Sequence, residues 1–228
     1  MRVSALALVL AAVLLAGCGS GHSSASNGEA SKSPSQVLAD AKTAASSASS
    51  SHVAGNIDSA GTKIGLDLSM ARDKGAKGSM STNGVSFDLV RIGDTLYIKG
   101  SDAFWKQNGG ALAAQLLHGK WLEVSGTTGK FRSLAALTNI GLLLGKVSST
   151  HGKLVNDGQV TYRGAQAVRI RDTSDNSKFY VAATGKPYPV ALVGGKANQS
   201  GTITFDDWNK HVTLTTPSGA IDLSKLGG

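Results

Sequence analysis

The chain has 228 residues and a single cysteine, Cys18, preceded by Leu15-Ala16-Gly17. A thiol beside two small residues can form a thioether while leaving room for an enzyme to reach the adjoining peptide bond. With no second cysteine, the chain can form no internal disulfide and no multi-thiolate metal site. The five histidines, His22, His52, His118, His151 and His211, are widely spaced, and none has metal-ligand spacing. Asp206, Asp207 and His211 cluster near a predicted strand end, which reads as a surface turn. Asp172 to Ser177 has the acidic character of a calcium loop but lacks its central Gly and terminal Glu, so a hairpin turn is expected. Gly126 to Lys130 and Gly141 to Lys146 each contain part of a phosphate loop, but neither has the Gly-Lys-Ser/Thr ending. There is no Gly-x-Ser-x-Gly elbow. Neither catalysis nor a cofactor is expected.

Around Cys18 the chain has a coherent order. Met1-Arg2, an apolar run from Val3 to Ala16 and then Cys18 match the charged, apolar and small-residue regions of a secretory leader. The tetrad Leu15-Ala16-Gly17-Cys18 matches the lipobox of bacterial lipoproteins, which are cleaved before a lipidated cysteine. The expected organisation is a signal peptide over residues 1–17, a lipidated Cys18 with a Ser/Gly-rich tether over 18–34, and one domain over 35–228. The implied location is the extracytoplasmic face of a cell membrane, held by the lipid anchor. Each buried acyl CH₂ contributes roughly 0.8 kcal/mol, so two or more chains hold a protein stably. No later apolar run approaches the roughly 20 residues of a membrane span.

The formal charge is +8, falling to +7 when Arg2 leaves with the leader. The cations are scattered singly, so they read as a solvated surface, and export argues against a nucleic-acid partner.

Ser33-Pro34 reads as an N-cap and first helical position, with Val37, Leu38, Ala41, Ala44, Ala45 and Ala48 at helical spacing, giving a helix over about 34–49. From His52 the period falls to two: Ile64, Leu66, Leu68 and Met70 alternate with Lys63, Gly65, Asp67 and Ser69. Asn83-Gly84 marks a type I′ hairpin between 78–82 and 85–92, and Thr95 to Lys99 follows as a strand. Ala111 to Leu117 is helical and Trp121 to Val124 a short strand. Phe131 to Lys146 reads as one helix with little polar face, either deeply buried or bordering an apolar cavity. Strands are expected at 151–155, 159–163, 167–171, 178–182, 190–193, 201–208 and 212–216, with Asn156-Asp157-Gly158 as a hairpin turn. The order is α+β: a large antiparallel sheet with segregated helices.

The second half carries a recognisable pattern. It runs from Asp157 to Ile170, continues as Phe179-Tyr180-Val181-Ala182-Ala183-Thr184-Gly185-Lys186-Pro187-Tyr188-Pro189, and closes with Gly201 to Trp208. Leu96-Tyr97-Ile98 and Gly119-Lys120-Trp121 precede it. Over most of residues 35–217 the chain resembles the LppX/LprG-type actinobacterial lipoproteins of the LolA-like superfamily. That resemblance implies a curved antiparallel half-barrel with helices over its concave face and an apolar cavity between them. It also implies carriage of lipids or lipoproteins. The candidate cavity residues are Phe104, Leu116, Leu117, Phe131, Leu134, Leu137, Ile140, Leu143 and Leu144, with Cys18 as the lipidation site.

The leading expectation is an anchored envelope lipoprotein that binds or transfers a lipid or glycolipid. The alternative is a structural or protein-binding envelope lipoprotein with a filled core. The short helical insert between Ser101 and Leu117 and the scarcity of aromatics, with three Trp, four Tyr and five Phe, weigh on the side of the alternative.

Overall fold

A computed structural model of the protein describes residues 25–59, 61–127, 129, 131–141, 143, 152–196 and 199–225. Cys18, the leader and Leu144 therefore lie outside the described residues.

The first helix, α1 (Pro34–Ser47), starts as its sequence dictates. The Ser33 hydroxyl accepts the Gln36 backbone N–H, Gln36 returns its side-chain oxygen to the Ser33 N–H at 3.0 Å, and Pro34 occupies the first turn. Val37, Ala41, Ala44 and Ala45 are buried, and three of these four are alanines, so the helix lies close to the sheet beneath it. A meander follows: β1 (Ser50–Ser59), β2 (Thr62–Ala71), β3 (Gly75–Thr82), β4 (Val85–Ile92) and β5 (Thr95–Gly100). The β3–β4 turn is Asn83-Gly84 with φ of 50° and 82°, as a type I′ hairpin requires.

Helix α2 (Asp102–Leu117) begins where the Ser101 hydroxyl accepts the Phe104 N–H at 3.2 Å, and Gly110 departs from helical geometry within it. Strand β6 (Leu122–Ser125) and helix α3 (Phe131–Leu137) come next. A second meander follows, made of β7 (Leu154–Tyr162), β8 (Ala165–Asp172), β9 (Lys178–Ala182), β10 (Pro189–Val193) and β11 (Gln199–Asp206), and β12 (Ile221–Asp222) closes the set.

All twelve strands form one open sheet in the order β12-β6-β5-β4-β3-β2-β1-β11-β10-β9-β8-β7. The two meanders are fused where β1 pairs with β11, from His52–Asp206 to Ser59–Gln199. Glycine makes this seam possible. A Cβ on Gly55 would lie 2.0 Å from the Thr202 carbonyl oxygen, and one on Gly201 would lie 2.1 Å from that of Asn56. Both residues have positive φ, 143° and 117°. Every strand pair is antiparallel except β12 with β6. The α+β layout is the one expected from the order of elements.

One face of the sheet carries the main cores. The larger joins Val53, Leu66, Leu68, Leu89, Leu96 and Ile98 of the first meander to Ile203 and Phe205 of β11, and it is covered by Trp105 and Leu117 of α2 and by α3. The smaller joins Val168, Ile170, Phe179 and Val181 to Val37 and Ala41 of α1. On the opposite face, Tyr162 stacks on Tyr180 at 4.1 Å above Ala167 and Ala191.

Four local expectations are corrected. Asn156-Asp157-Gly158 is a bulge inside the continuous strand β7, with Gly158 at φ 79°. The turn chemistry is spent on tertiary contacts. The Asn156 amide donates to the carbonyls of Glu29, Ala30 and Lys32. Asp157 accepts Arg169 and Arg171 at 2.9–3.0 Å, and the hydrogen bond from Arg171 above all holds its carboxyl below the usual carboxylate range. The β7–β8 hairpin instead turns at Arg163-Gly164, with φ of 49° and 81°.

The helix expected over Phe131 to Lys146 is interrupted at Thr138. The Thr138 hydroxyl donates to the Ala135 carbonyl and accepts Arg91 Nε, both at 2.6 Å, so the side chain competes for helical bonds. Helical structure resumes at Ile140. Residues 212–216 form no strand, and β12 was not anticipated.

Residues 26–32, assigned to the tether by composition, pack on the domain. Asn27 donates its backbone N–H to the Ala183 carbonyl and its amide to that of Ala182, at 2.9 and 2.8 Å. Lys32 bridges Glu29 and Asp40 at 2.7 and 2.6 Å.

Candidate functional site

The site is a cleft at the junction of the two cores. Along β1, β2 and β7 to β11, alternate side chains point to the helix-covered face because strand side chains have a period of two. Ile57 (β1), Ile64 and Leu66 (β2), Ile170 (β8), Phe179 (β9), Leu192 (β10) and Ile203 and Phe205 (β11) form its floor. Leu38 of α1, Leu137 of α3 and Leu143 beyond the break at Thr138 face them from the other side, and Leu154 of β7 lines it too. The cleft, open to solvent along one side, has a volume of about 490 Å³, within the roughly 300–1,000 Å³ range of ligand pockets.

Several of these apolar side chains do not reach the burial of their neighbours. Leu38, Ile57, Ile64, Leu137, Leu143, Leu154 and Leu192 are half-buried, whereas Val53, Leu68, Leu89, Val168 and Val181 are completely buried. The exposed parts of the first group border the cleft. Leu192 packs against both cores, so the gap lies where neither core reaches across.

Polar groups gather at one end. Asp58, Asp172, Asp175, Ser177, Lys178, Gly194, Gly195 and Ser200 complete the lining. Asp172 is buried and accepts the Gly152 N–H at 2.8 Å and the Ser174 N–H and hydroxyl at 2.7 and 2.6 Å. Asp175 accepts the Ser177 N–H at 2.8 Å, and Asp58 accepts that of Gly61 at 3.1 Å. Gly195 lets the chain leaving β10 pack on the β8–β9 turn, since a Cβ there would fall 2.0 Å from the Asp175 carbonyl oxygen.

Of the candidate residues drawn from sequence, Leu137 and Leu143 line the cleft. Phe104, Phe131 and Leu134 pack against the larger core, and Leu117 and Ile140 are buried within it. Phe104 packs against Phe87 with the rings tilted by 39° and their centroids 4.7 Å apart, and meets Trp105 edge-on at 4.9 Å. Leu116 faces solvent at 54% exposure, as does Leu112 at 66%, on the helical stretch that follows the break at Gly110. Sequence reasoning missed the floor from β1, β2 and β8 to β11. Its signal was the alternating apolar set itself, but alternation marks an inward face and does not say whether that face meets a side chain or a void.

Among the described residues, no group of three or more His, Cys, Asp or Glu could hold a metal ion. Among them, too, no helix is long and apolar enough to cross a membrane. On the sheet face away from the cleft, His52 Nδ1 lies 2.8 Å from Asp206 and Nε2 lies 2.9 Å from Asp67. Partial burial of the imidazole works against its charge, but the two carboxylates prevail and raise its pKa. The arrangement clamps β2 and β11 to β1.

An open, essentially antiparallel sheet with helices over one face and an apolar cleft between them defines the class. The fold is that of the mycobacterial proteins LprF and LppX. The chain is similar to the crystal structure of LprF from Mycobacterium bovis at 15% identity, over 82% of this chain and 97% of that one, with a TM-score of 0.55. It is similar to the lipoprotein LppX of Mycobacterium tuberculosis at 19% identity, over 80% of this chain and 100% of that one, with a TM-score of 0.51. No protein-family model matches the sequence, and no curated protein matches it.

Proposed function

We propose that the protein is a membrane-anchored envelope lipoprotein that binds or transfers a lipid or lipidated ligand in the cleft between sheet and helices. The observation that carries this reading is the set of half-buried Leu and Ile side chains around about 490 Å³ of apolar space. A folded domain loses stability by leaving such space unfilled, and an acyl chain gains about 0.8 kcal/mol per CH₂ by entering it. The Leu15-Ala16-Gly17-Cys18 tetrad supports the anchor, in keeping with LppX being a lipoprotein. Binding in this reading is hydrophobic sequestration without bond chemistry.

The test is uptake of a fluorescent acyl probe by the full chain in phosphatidylcholine nanodiscs, with Leu137→Trp as the filled-cleft variant. Saturable uptake that Leu137→Trp reduces about tenfold or more, the equivalent of 1.4 kcal/mol, supports the reading. Uptake that is absent or unaffected by Leu137→Trp favours a structural or protein-binding role.

A further inference from the structure

Strand register places the entry of the N-terminal segment at one end of the sheet. Ser26 bridges Thr184, and Asn27 donates to the carbonyls of Ala182, Ala183 and Gly185 in the β9–β10 connection. The β7–β8 turn at Arg163-Gly164 lies beside it, since the Ala183 N–H donates to the Gln166 carbonyl. Strand β11 leaves the sheet at the same end, where Asp206 pairs with His52, and the β2–β3 turn follows, where Ala71 pairs with Ser50 and Gly75. The β1–β2, β3–β4 and β8–β9 turns lie at the opposite end.

The entry end carries the side chains of a membrane interface. Tyr188 and Trp208 stack with ring centroids 4.7 Å apart and planes within 7°, and both are half-buried. Trp208 Nε1 donates to the Pro189 carbonyl at 3.2 Å, and the Asn209 amide donates to the Tyr188 hydroxyl at 2.8 Å. Such rings, apolar in body and polar at one atom, favour the boundary between water and lipid. Around them Arg72, Lys74, Arg163, Lys186 and Lys210 are exposed. The nearby acids each have a basic partner: Asp73 lies 3.8 Å from Arg72, Asp206 lies 2.8 Å from His52, and Asp207 lies 2.7 Å from Lys210. Asp94 stands further along, on the β4–β5 turn. Among the described residues Lys74, Arg163 and Lys186 have no acidic partner, and Arg163 lies over the Tyr162 ring at 5.7 Å.

The length of chain ahead of Ser26 decides what this end meets. From Cys18 to Ala25 there are roughly eight residues, which reach at most about 28 Å when fully extended. A lipid on Cys18 therefore keeps Ser26 within that distance of the bilayer, which lets the unpaired cations come within the Debye length of about 8 Å over which anionic head groups attract them. We propose that the end of the sheet carrying Arg163, Lys186, Tyr188 and Trp208 rests on the anionic bilayer that holds the anchor. The β8–β9 turn, with Asp172 and Asp175 of the cleft lining, then points away from that bilayer. This rests on the lipoprotein reading and adds the orientation of the domain.

The test uses the full, lipidated chain in nanodiscs of phosphatidylcholine and phosphatidylglycerol. Photoreactive benzoylphenylalanine replaces Lys186 in one sample and Lys63 in another. Both positions are exposed, and Lys63 pairs with Asp58 at the opposite end of the sheet. Illumination joins the residue to any lipid in contact with it, and mass spectrometry reads the adduct. The expected result is a lipid adduct at residue 186 and none above background at residue 63. Lys74→Gln combined with Arg163→Asn should reduce the adduct at residue 186, and an undiminished adduct would overturn the part given to these cations. A retained protein with no adduct at residue 186, or with as much or more at residue 63, would overturn the orientation and leave the lipoprotein reading standing. A chain that the nanodiscs do not retain would overturn both.

Discussion

The Asn156 side-chain amide donates to the Lys32 carbonyl oxygen at 2.9 Å, joining the bulge of the edge strand to the segment that leads in from the N-terminus. The same nitrogen reaches the carbonyls of Glu29 and Ala30 at 3.3 Å each, and Asn156 Oδ1 takes the Gly158 N–H at 2.8 Å. Asn156→Ala removes all of these contacts. It should destabilise the domain by about 1–3 kcal/mol in urea denaturation, with limited proteolysis appearing first between residues 26 and 33. Unchanged stability together with an unchanged cleavage pattern would show that this junction is incidental.

The β1–β11 seam should be intolerant of any side chain at its glycines. Gly201→Val places atoms against the Asn56 carbonyl at a positive φ that a β-branched residue does not adopt. A cost of about 3 kcal/mol or more is expected, measured as loss of the folded fraction by circular dichroism. A comparable change at Gly84, where an added Cβ meets nothing within 4 Å, should be milder because only its turn conformation opposes it.

The His52 clamp gives stability a pH signature. Its pKa is raised in the folded protein, so the contribution is fully present below the unfolded value, near 6.5. It is lost as pH rises through the higher folded value. Asp67 and Asp206 face the ring, with Asp207 and Lys210 beside them. Both clamping carboxylates are well exposed, so the effect should stay within about 1 kcal/mol. His52→Gln should flatten the fall in thermal stability above that pH; an identical slope in the variant would assign the fall to another group.

Cys18→Ala should leave the domain folded while preventing lipidation and leader removal. Membrane fractionation and mass spectrometry check this: a processed, lipidated and membrane-retained Cys18→Ala protein would contradict the lipobox reading.

Much of the sheet was legible because its causes are local. Asn83-Gly84 specifies its own turn, and the alternation from Ile64 to Met70 is the buried pattern of β2. The α1 start is written in Ser33-Pro34, to which the structure adds the Gln36 side chain. What misled was turn chemistry put to another use: Asn156-Asp157-Gly158 holds residue types suited to a turn, but carbonyls more than 120 positions away claim the Asn156 amide. Thr138 similarly breaks a helix through Arg91, a partner 47 residues distant. The cleft was half legible. Leu137 and Leu143 stood out as apolar residues on a helix with little polar face. The floor could not be seen, because it exists only once β1 joins β11 and β8 to β10 fall in beside them.

The most direct test is native mass spectrometry of the protein released from its own membranes, wild type beside Leu137→Trp. The expected spectrum shows one stoichiometric lipid adduct on the wild-type protein, beyond the covalent anchor, and its loss from the variant. A wild-type protein that carries no adduct, or an adduct retained equally by Leu137→Trp, would contradict the proposal that the cleft between sheet and helices is where this protein holds a lipid.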